Sequence, residues 1–460
     1  MLISVIGLEV HIELNTKSKM FCGCANNPFG STPNSLTCPT CLGLPGALPV
    51  PNKAALDSTM LLGLALGATV NSESFFERKN YFYPDLPKGY QISQYQKPLC
   101  TGGELEITKN KQQKTRIRIN RIHQEEDTAK LIHKGEKTLI DFNRSGVPLA
   151  ELVTEADFRS AADAKAFLKE LTKIVKYLDI STADMEKGTM RLEANISLQE
   201  EGSFEVKGAR VLSTTGKKLN PKVEVKNINS FRFVEKAINY EIKRQTEALS
   251  KGQVLVQETR GYNEKTGQTY SQREKESAHD YRYFPEPDIP PMQFDADYVE
   301  SLRQKLPELP THRVNRWLSQ GVKLADAEIL SEMPELAKFF DSVISAVGAG
   351  SPSPSNQTSG SGNPTPTMIS NLLVNKPDFQ KKPIDEIVVE LRKLLDKPTL
   401  SSTKVAELCQ IVIKDNPKAV ADYKKGKAAG LKFLVGQVMR LSAGAADFSA
   451  VENLLKSLLN

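Results

Sequence analysis

Acidic and imidazole side chains near the start of the chain recur in a pattern that suits cation binding. Glu9, His11 and Glu13 alternate with apolar residues over residues 8–14. Successive side chains of a β-strand point to opposite faces, so these three polar groups would share one face of a sheet. Two carboxylates and an imidazole in a row can hold a cation. A solvated strand produces the same alternation, because charged residues are mostly exposed.

Three further segments repeat the alternation of apolar and charged residues. The alternation changes phase at Arg121, which predicts a β-bulge of the kind that redirects side chains beside a functional site. The charged polar-face residues of these segments are Glu125 after the bulge, Arg191 and Glu193 within residues 190–198, and Glu224 and Lys226 within residues 223–226. Together with the opening strand, they predict one sheet face that carries several carboxylates.

A sheet face lined with carboxylates is unfavourable unless a cation offsets their mutual repulsion. Carboxylates with at most one imidazole and no thiolate favour Mg²⁺ or Mn²⁺ over zinc. The basic residues Arg191 and Lys226 on the same faces could then hold phosphate oxygens. The pattern therefore favours metal-assisted phosphoryl transfer, and a merely charged sheet stays the alternative.

Four of the six cysteines lie close together in the sequence. They are Cys22, Cys24, Cys38 and Cys41, in a segment rich in proline and glycine that has little regular structure of its own. In a reducing compartment, two close cysteine pairs indicate a metal rather than disulfides. A tetrahedral Zn²⁺ on the four thiolates would supply the missing core of this segment. Free structural thiols are the alternative.

Residues 78–94 combine aromatic and basic side chains. Pro84, Pro87 and Gly89 disfavour an interior helix or strand, so the whole segment is predicted to be a long ordered loop. Loops of this composition often carry function, and stacking together with phosphate contacts could seat a nucleotide or an RNA end. The alternative is a loop that only caps a sheet edge.

Helices and a hairpin are predicted around these segments. Apolar residues at helical spacing indicate helices over residues 54–68, 161–178 and 231–249, and a later one over residues 327–347. Residues 254–271 predict a hairpin that turns at Thr266 and Gly267. The chain thus mixes strands and helices in its first part and is helical beyond it.

At 460 residues the chain is long enough for two or three domains. The prolines of residues 285–291 form a rigid exit, which predicts that a first domain, residues 1–291, ends there. A helical region (292–347), a flexible linker or loop poor in apolar residues (348–367) and a helical tail (368–460) are predicted to follow. Most of the net positive charge lies in residues 401–460 of the tail, where nine Lys and Arg face five Asp and Glu, and this excess suits a polyanion such as RNA or merely promotes solubility.

Several common functions are excluded by what the sequence lacks. No segment approaches the roughly 18 consecutive apolar residues of a membrane span, and the N-terminus lacks the layout of a signal peptide. The protein is therefore expected to be cytoplasmic, without a membrane partner. Motifs for a P-loop, a dinucleotide-binding turn and a serine nucleophile elbow are missing too.

Long motifs in the chain resemble those of the B subunits of aspartyl/glutamyl-tRNA amidotransferases. They are GLEVH at residues 7–11, CPTCLG at 38–43, NYFYPDLPKGYQ at 80–91, DFNRSGVPL at 141–149, EVKNINSF at 224–231 and DYRYFP at 280–285. The resemblance covers nearly all of residues 1–291, and a thinner match, GQVM at residues 436–439, lies in the tail.

The resemblance implies a catalytic cradle of the α+β class, built on an antiparallel sheet similar to that of glutamine synthetase, with the zinc knuckle at residues 22–41. An all-α region and a helical tail that grips the tRNA would follow. The implied reaction uses ATP and Mg²⁺ to phosphorylate the side-chain carboxylate of Glu-tRNA(Gln), Asp-tRNA(Asn) or both. Ammonia from a partner amidase, the A subunit, would then displace the phosphate, and the small C subunit would complete a heterotrimer.

The resemblance also assigns residues to this site. Glu9, His11, Glu125 and Glu224 match positions that ligate Mg²⁺ or line the phosphorylation site, and Glu193 stands where the family usually has aspartate. The residues expected to bind ATP or substrate are Lys79, Tyr81, Tyr83, Lys88, Ser93, Arg191, Lys226 and Asn227. Glu13 has no such support and is expected to be solvated.

Two other functions stay open on the sequence. A zinc-containing tRNA-binding protein could keep this scaffold but lack the chemistry, given that Glu193 replaces the usual aspartate. An ATP-dependent ligase that acts on a free amino acid is also compatible with a sheet similar to that of glutamine synthetase. The basic tail argues against the ligase.

Overall fold

The computed structural model describes residues 1–109, 113–208, 210–274, 281–348, 363–395, 400–442, 445–446 and 448–459. The chain forms two compact units, Met1–Val314 with Ser331–Pro334, and Asn315–Leu330 with Glu335–Asn460. The first unit thus continues past residue 291. Most of the linker expected at residues 348–367 lies outside the described residues, and the roles assigned to the four predicted domains stay predictions.

The strands all lie in the first unit. They are β1 (Leu2–Glu13), β2 (Thr69–Val70), β3 (Glu73–Ser74), β4 (Glu77–Asn80), β5 (Tyr90–Ser93), β6 (Cys100–Thr101), β7 (Glu104–Lys109), β8 (Gln113–Glu126), β9 (Lys130–Lys134), β10 (Lys137–Asp141), β11 (Pro148–Thr154), β12 (Met190–Glu200), β13 (Phe204–Lys207), β14 (Arg210–Ser213), β15 (Val223–Lys226), β16 (Glu258–Asn263), β17 (Gln268–Glu274), β18 (Phe284–Pro285) and β19 (Met292–Gln293), as far as the chain is described.

The helices are spread over both units. They are α1 (Lys53–Ala65), α2 (Ala161–Tyr177), α3 (Phe231–Ser250), α4 (Ala296–Arg303), α5 (Pro310–Ser319), α6 (Leu324–Leu330), α7 (Pro334–Val347), α8 (Pro366–Asn375), α9 (Ile384–Leu395), α10 (Ser402–Asp415), α11 (Pro417–Lys424), α12 (Ala428–Leu441) and α13 (Phe448–Leu459). Within the described parts of the chain, every helix is too short or too polar to cross a membrane.

A ten-stranded sheet forms the centre of the first unit, in the order β17-β16-β15-β12-β1-β11-β8-β6-β2, with β7 paired to β8. Its strands pair antiparallel, except that β15 and β16 are parallel. A mixed fold with an antiparallel-rich sheet and a helical C-terminal part confirms the predicted α+β class.

One face of this sheet is apolar and carries the core. Leu8, Val10 and Ile12 of β1 are at most 1% exposed and belong to one hydrophobic cluster with Met60 of α1 and Ile238 of α3. Helix α1 contacts β8 and β11, and α3 contacts β12. The opposite face, which carries Glu9 and His11, is therefore left for polar groups.

Helices α1, α2 and α3 confirm three predicted helices, and β16 and β17 confirm the hairpin that turns at Thr266 and Gly267. Serine caps fix where two of the helices begin. The Ser160 hydroxyl accepts a hydrogen bond from the Asp163 N–H at 3.2 Å, and the Ser230 hydroxyl accepts one from the Phe233 N–H at 3.3 Å. Such caps satisfy N–H groups that have no partner within the helix.

Two predictions of local structure are wrong in part. Strands β4 and β5 occupy both ends of the segment expected to be all loop, so Pro84, Pro87 and Gly89 confine irregular structure to residues 81–89. The single helix expected over residues 327–347 is two helices, α6 and α7. Pro334 begins α7, because proline suits the first helical position but not a helix interior.

The second unit has its own buried residues. Trp317 packs edge-on against Phe340 with ring centroids 5.0 Å apart, and its indole N–H donates to Asp341 Oδ1 at 2.8 Å. Further along the chain, α10, α12 and α13 share a core that includes Cys409, Leu434 and Leu455.

Candidate active site

Strand register brings the predicted acidic and basic residues onto the polar face of the sheet. Glu9 of β1 lies opposite Glu193 of β12. On the other side of β1, His11 lies opposite Glu151 of β11, which in turn lies opposite His123 of β8. Four neighbouring strands thus contribute charged side chains to one surface.

The predicted bulge is present in β8. Arg121 pairs with Val153 and Ile119 pairs with Thr154, so Asn120 is the extra residue. An extra residue reverses which side chains point to which face. Residues after the bulge, such as Glu125, therefore turn to the polar face, whereas Ile119 before it is buried in the apolar core.

His11, His123, Glu125 and Glu151 form a cluster at the centre of the polar face, in which His11 is half-buried and the other three are buried. His11 Nε2 lies 3.4 Å from Glu151 Oε2 and 3.9 Å from Glu125 Oε2. His123 Nε2 lies 3.2 Å from Glu151 Oε2 and 3.5 Å from Glu125 Oε1. One ligand atom each of His11, Glu125 and Glu151 lies within 4.8 Å of the other two, an arrangement that could hold a metal ion.

Strands β4 and β5 hold Glu125 in place. Ser93 Oγ donates a hydrogen bond to Glu125 Oε1 at 2.5 Å, and Gln91 Nε2 donates to Glu125 Oε2 at 3.2 Å. Lys79 Nζ lies 3.7 Å from Glu125 Oε1. These contacts fix the carboxylate in one orientation, as a ligand or electrostatic group requires.

The protonation of the cluster follows from its burial and its charges. Burial lowers the pKa of His11, but the carboxylates of Glu151, Glu193 and Glu125 together outweigh this effect and raise the pKa to about 9. Burial also lowers the pKa of His123, but the carboxylates of Glu151 and Glu125 together outweigh this effect and raise that pKa. Burial raises the pKa of the Glu151 carboxyl group, yet His123 and His11 more than offset it and hold that pKa well below its usual range. Protonated imidazoles therefore offset the buried carboxylates.

Glu193 and Glu224 form a second acidic group around Lys226. Lys226 Nζ lies 2.9 Å from Glu193 Oε1 and 2.8 Å from Glu224 Oε1. Burial raises the pKa of Glu193 to about 7, although Lys226 acts in the opposite direction. Glu9 accepts a hydrogen bond from Asn195 Nδ2 at 2.8 Å and lines a small separate cavity of about 90 Å³.

The register does not bring Glu9 and Glu224 into the group formed by His11, Glu125 and Glu151. Among the described residues, the group there whose ligand atoms all lie within 4.8 Å of one another consists of His11, Glu125 and Glu151. Of the four predicted Mg²⁺ ligands, the structure thus brings His11 and Glu125 together and adds Glu151 to them.

Glu13 is not solvated, so that prediction is wrong. Its carboxyl group is half-buried against Asp127, which follows β8. Burial, and then the neighbouring Asp127 carboxylate, raise the pKa of Glu13 to about 8. Asp127 Oδ2 lies 2.8 Å from Arg191 Nη2 and 3.5 Å from Arg144 Nε. The expectation considered one strand in isolation, whereas the fold places a second acid against it.

These groups surround a cavity of about 430 Å³. The predicted site residues that line it are His11, Lys79, Tyr81, Glu125, Arg191, Glu193, Lys226 and Asn227. Basic and acidic side chains therefore face the same space. Such a cavity suits a substrate that carries both a carboxylate and phosphate groups, with a cation between them.

Besides Glu9 and Glu224, three predicted site residues do not line this cavity. Tyr83 is 60% exposed at the surface. The Lys88 side chain is buried and forms an ion pair with Glu126, and the Ser93 hydroxyl donates a hydrogen bond to Glu125. Lys88 and Ser93 thus contact acids of β8, and Tyr83 is directed to solvent.

The four predicted zinc ligands converge. Their sulfur atoms, one each from Cys22, Cys24, Cys38 and Cys41, all lie within 4.8 Å of one another, so this segment could hold a metal ion. The buried Lys19 ammonium donates to the Leu36 carbonyl oxygen at 2.8 Å and lies 3.8 Å from Cys41 Sγ. A buried cation beside the thiols suits thiolate ligands, because it offsets part of their charge.

Sequence reasoning misses Glu151 and His123. Glu151 lies in β11, where every residue from Pro148 to Thr154 is buried, so no alternation marks a polar face. An acid within an otherwise apolar strand was the available signal, because buried carboxylates are rare unless they are paired. His123 was noticeable only as a neighbour of the predicted bulge.

The fold and the site define a class of protein: an α+β chain that presents buried carboxylates and imidazoles to a charged cavity and ends in a helical part. Comparison with known proteins narrows this class. The family described as the GatB/GatE catalytic domain matches residues 4–300, and the family described as the GatB domain matches residues 374–459.

Curated relatives agree with these family matches. The chain is 43% identical over 484 residues to the aspartyl/glutamyl-tRNA(Asn/Gln) amidotransferase B subunit of Persephonella marina, covering 99% of both chains. It is 41% identical to the protein of the same name from Thermomicrobium roseum, covering 99% of this chain and 98% of that one. The Thermotoga maritima protein is 40% identical with the same coverage. This chain therefore belongs to the family of aspartyl/glutamyl-tRNA amidotransferase B subunits.

Without added metal, we expect the first unit to lose stability as the pH rises from 6 to 9. The folded chain holds the His11 proton more tightly than the unfolded chain, since the pKa rises from 6.5 to about 9. This contribution is complete below pH 6.5 and is lost as the pH passes 9. Glu193 and Glu13, with pKa values raised to about 7 and about 8, act in the same direction because the folded chain keeps their protons longer. His11 alone would lower the free energy of unfolding by on the order of 3 kcal/mol.

Urea unfolding at pH 6 and pH 9, followed by circular dichroism, measures this effect. Fluorescence of Trp317, the only tryptophan, reports the second unit separately. Replacing His11 by Asn should flatten the pH dependence, whereas replacing the exposed His133 by Asn should leave it unchanged. An equal pH dependence in the His11→Asn protein would contradict the prediction.

Proposed function

We propose that this chain is the B subunit of a tRNA-dependent amidotransferase. It would phosphorylate the side-chain carboxylate of Glu-tRNA(Gln), Asp-tRNA(Asn) or both with ATP, and then amidate it with ammonia. The observation that carries the proposal is the group formed by His11, Glu125 and Glu151 beside a charged cavity. The chain is similar over nearly its whole length to proteins of that name, which supports the same assignment.

The chemistry explains why such a site is needed. A carboxylate is a poor acyl donor because its oxygen does not leave readily. Transfer of the γ-phosphoryl group of ATP to that oxygen gives an acyl phosphate, and attack by ammonia forms the C–N bond while phosphate leaves. Most of the protein's task in phosphoryl transfer is to position the reactants and offset negative charge.

We place Mg²⁺ at His11, Glu125 and Glu151. Two carboxylates and one imidazole without thiolate are ligands for a hard cation. When bound, the ion would offset the charge of the ATP phosphate oxygens. Glu9 and Glu224 stay predicted ligands, and Glu193 would act with them as the acidic group around Lys226.

Three basic residues would bind the anionic oxygens of the substrates. Lys79, Arg191 and Lys226 all line the cavity. Burial lowers the pKa of Lys79, but Glu125, Tyr283, Glu151 and Tyr81 together outweigh this effect and hold the pKa well above its usual value. The Lys79 ammonium therefore stays charged where a carboxylate or phosphate would approach.

The other predicted site residues would act in different ways. Tyr81 and Asn227 would form part of the cavity wall. Asn227 adopts a left-handed backbone conformation with φ of 62° directly after β15. Ser93 would orient Glu125, and Lys88 would hold Glu126 of the same strand. Tyr83, exposed at the surface, would meet only a part of the tRNA outside the cavity.

Partners follow from the same proposal. The ammonia would come from the amidase, or A subunit, and the small C subunit would join both into a heterotrimer. The misacylated tRNA would be gripped by the helical tail of residues 368–460. Because none of these partners requires a membrane, the protein would act in the cytoplasm.

We also propose that Cys22, Cys24, Cys38 and Cys41 hold a structural Zn²⁺. Four thiolates in tetrahedral arrangement are a common structural zinc site, and their convergence within 4.8 Å fits the spacing that zinc imposes on sulfur ligands. When bound, the ion would link the two ends of a segment that has no strand or helix of its own.

The two alternative functions differ in what they require of the cluster. A non-catalytic tRNA-binding protein would not need buried acids beside a cavity, so burial of Glu125 and Glu151 favours the enzyme. An ATP-dependent ligase for a free amino acid would hydrolyse ATP without tRNA, and this is readily measured.

Replacing Glu125 or Glu151 by Gln should lower transamidation by about 100-fold or more, because each change removes a charge that acts on the transferred phosphoryl group. The measurement is conversion of Glu-tRNA(Gln) with ATP and glutamine by the chain assembled with its amidase partner. Glutamine hydrolysis by the partner and tRNA affinity should be largely retained. Exchanging the exposed Glu136 for Gln is the matched control.

The outcomes separate the three functions. Undiminished turnover in the Glu125→Gln and Glu151→Gln proteins would remove this cluster from the reaction. A wild-type complex that binds tRNA without converting it would support the non-catalytic alternative. ATP hydrolysis with a free amino acid and no tRNA would support the ligase.

Divalent cation binding should depend on His11. Mn²⁺, used as a paramagnetic probe for Mg²⁺, should bind the wild-type chain, and the His11→Asn protein should bind it about tenfold or more weakly, because a lost ligand typically has an effect of this size or larger. The His133→Asn protein should bind as the wild type does. Equal Mn²⁺ affinity in the three proteins would place the ion elsewhere.

The purified chain should contain one Zn²⁺, measured by elemental mass spectrometry. Replacing Cys22 and Cys24 together by Ser should remove it and lower the unfolding temperature of the first unit, because metal binding stabilises a segment with little core of its own. Replacing the buried Cys409 of the second unit by Ala should leave the zinc in place. Zinc retained in the double variant would rule out this site.

A further inference from the structure

Four tyrosines connect the cavity with the protein surface. Tyr81 and Tyr281 line the cavity and meet edge-on, with ring centroids 6.0 Å apart. Tyr281 contacts Tyr283 edge-on at 6.1 Å, and Tyr283 stacks on Tyr95 at 4.8 Å with the ring planes inclined by 16°. Tyr95 is 54% exposed. These four residues, the tyrosine cluster, therefore form a continuous aromatic surface from the interior to solvent.

Buried charged groups hold both chain segments of the tyrosine cluster in place. Arg78 donates two hydrogen bonds of 2.8 Å to the buried Glu286 carboxylate, which anchors the segment that carries Tyr281 and Tyr283. The buried Glu77 carboxylate accepts hydrogen bonds from the Tyr95 and Gln96 N–H groups at 2.7 and 2.8 Å. A buried ion pair, and a buried carboxylate that accepts backbone N–H groups, each fix a local conformation.

The amide of Asn80 adds a direct link between the segments. The side-chain Nδ2 of Asn80 donates to the Arg282 carbonyl oxygen at 2.8 Å, and the backbone N–H of Asn80 donates to the Tyr281 carbonyl oxygen at 2.9 Å. The rings are thus held rigidly although part of their surface is exposed. Core packing does not explain this, because core residues are buried, whereas a binding surface requires exposed groups in a fixed arrangement.

Cations accompany the tyrosine cluster. The guanidinium carbon of Arg121 lies 6.0 Å from the Tyr95 ring centroid, and Lys79 Nζ lies 5.3 Å from the Tyr281 ring centroid. Partly exposed aromatic rings with basic groups beside them are the composition with which proteins bind unpaired nucleotides, since bases stack on rings and phosphates meet cations.

We infer that Tyr95 and Tyr283 stack the unpaired nucleobases at the aminoacylated end of the tRNA, and that Tyr281 leads this end into the cavity. The inference rests on the proposed function, which brings an RNA end to this cavity. The adenine of ATP is the other source of a nucleobase. The RNA end is favoured because the aromatic surface continues outward over several rings to solvent, as an incoming strand needs and a single base does not.

Fluorescence of a tRNA with 2-aminopurine in place of its terminal adenine tests the stacking directly. Binding to the full chain in its amidase complex should quench this fluorescence. Replacing Tyr283 or Tyr95 by Leu should abolish the quenching and raise the KM for aminoacyl-tRNA by about tenfold, the effect expected for loss of one base–aromatic stack. The KM for ATP should stay unchanged. Replacing Tyr283 by Phe keeps the ring and should keep both properties.

The matched control is Tyr270→Leu, which removes an exposed tyrosine from the edge strand β17. It should bind and quench as the wild type does. Quenching that persists in both Leu variants, or a KM change for ATP instead of tRNA, would overturn the inference. A Tyr283→Phe protein as impaired as Tyr283→Leu would overturn it too, because the hydroxyl group and not stacking would then carry the contact.

The same assay separates this inference from the proposed function. A wild-type complex that quenches 2-aminopurine but does not convert Glu-tRNA(Gln) would leave the stacking site in place and refute the proposed reaction. A complex that converts the tRNA without quenching would support the reaction and refute the stacking site.

Discussion

Burial of Glu125 and Glu151 side by side is the constraint on which the rest of the site depends. Two carboxylates in a low-dielectric environment repel each other and lose their hydration, so they persist only with cations close by. His11, His123 and Lys79 supply this charge from three different strands. The raised pKa values of the two imidazoles and of the lysine are the direct result. Strand pairing, bulge and hairpin matter because they bring these charges within contact distance.

The bulge at Asn120 shows how a single residue controls this arrangement. Ile117 and Ile119 are buried in the apolar core, and in a regular strand Glu125 would point the same way, because all three have odd numbers. The extra residue reverses the parity, so that Ile122 enters the core and Glu125 faces the cavity. Strand β8 thus supplies apolar packing in one half and chemistry in the other. Without the bulge, the acids would be buried among apolar side chains at a large free-energy penalty.

Much of the fold, and part of the candidate site, could be predicted from the sequence wherever one strand or helix carries its own periodic signal. The alternation around Glu9 and around Glu193 identifies β1 and β12, and the apolar stripes identify α1, α2 and α3. What depends on pairing between distant segments could not be predicted in the same way. Glu151 sits in a fully buried strand without alternation, and Glu13 meets Asp127 only because β1 pairs with β11 and β11 with β8 in the observed registers. The prolines of residues 81–89 disfavour regular structure within the loop, whereas β4 and β5 on either side of the loop form by pairing with each other.

The charge pattern also explains how one site can exist with and without a cation. Without an ion, protons on His11 and His123 offset the acids of the cluster. A divalent ion carries the charge of two such protons, so it can replace them with little change in the net charge of the buried region. Arg191 already pairs with Asp127 and Lys226 with Glu193, so an incoming phosphate or carboxylate must compete with these acids for its cations. If the proposed function holds, this competition favours substrates that bring a cation with them, as a nucleoside triphosphate does, over a bare carboxylate.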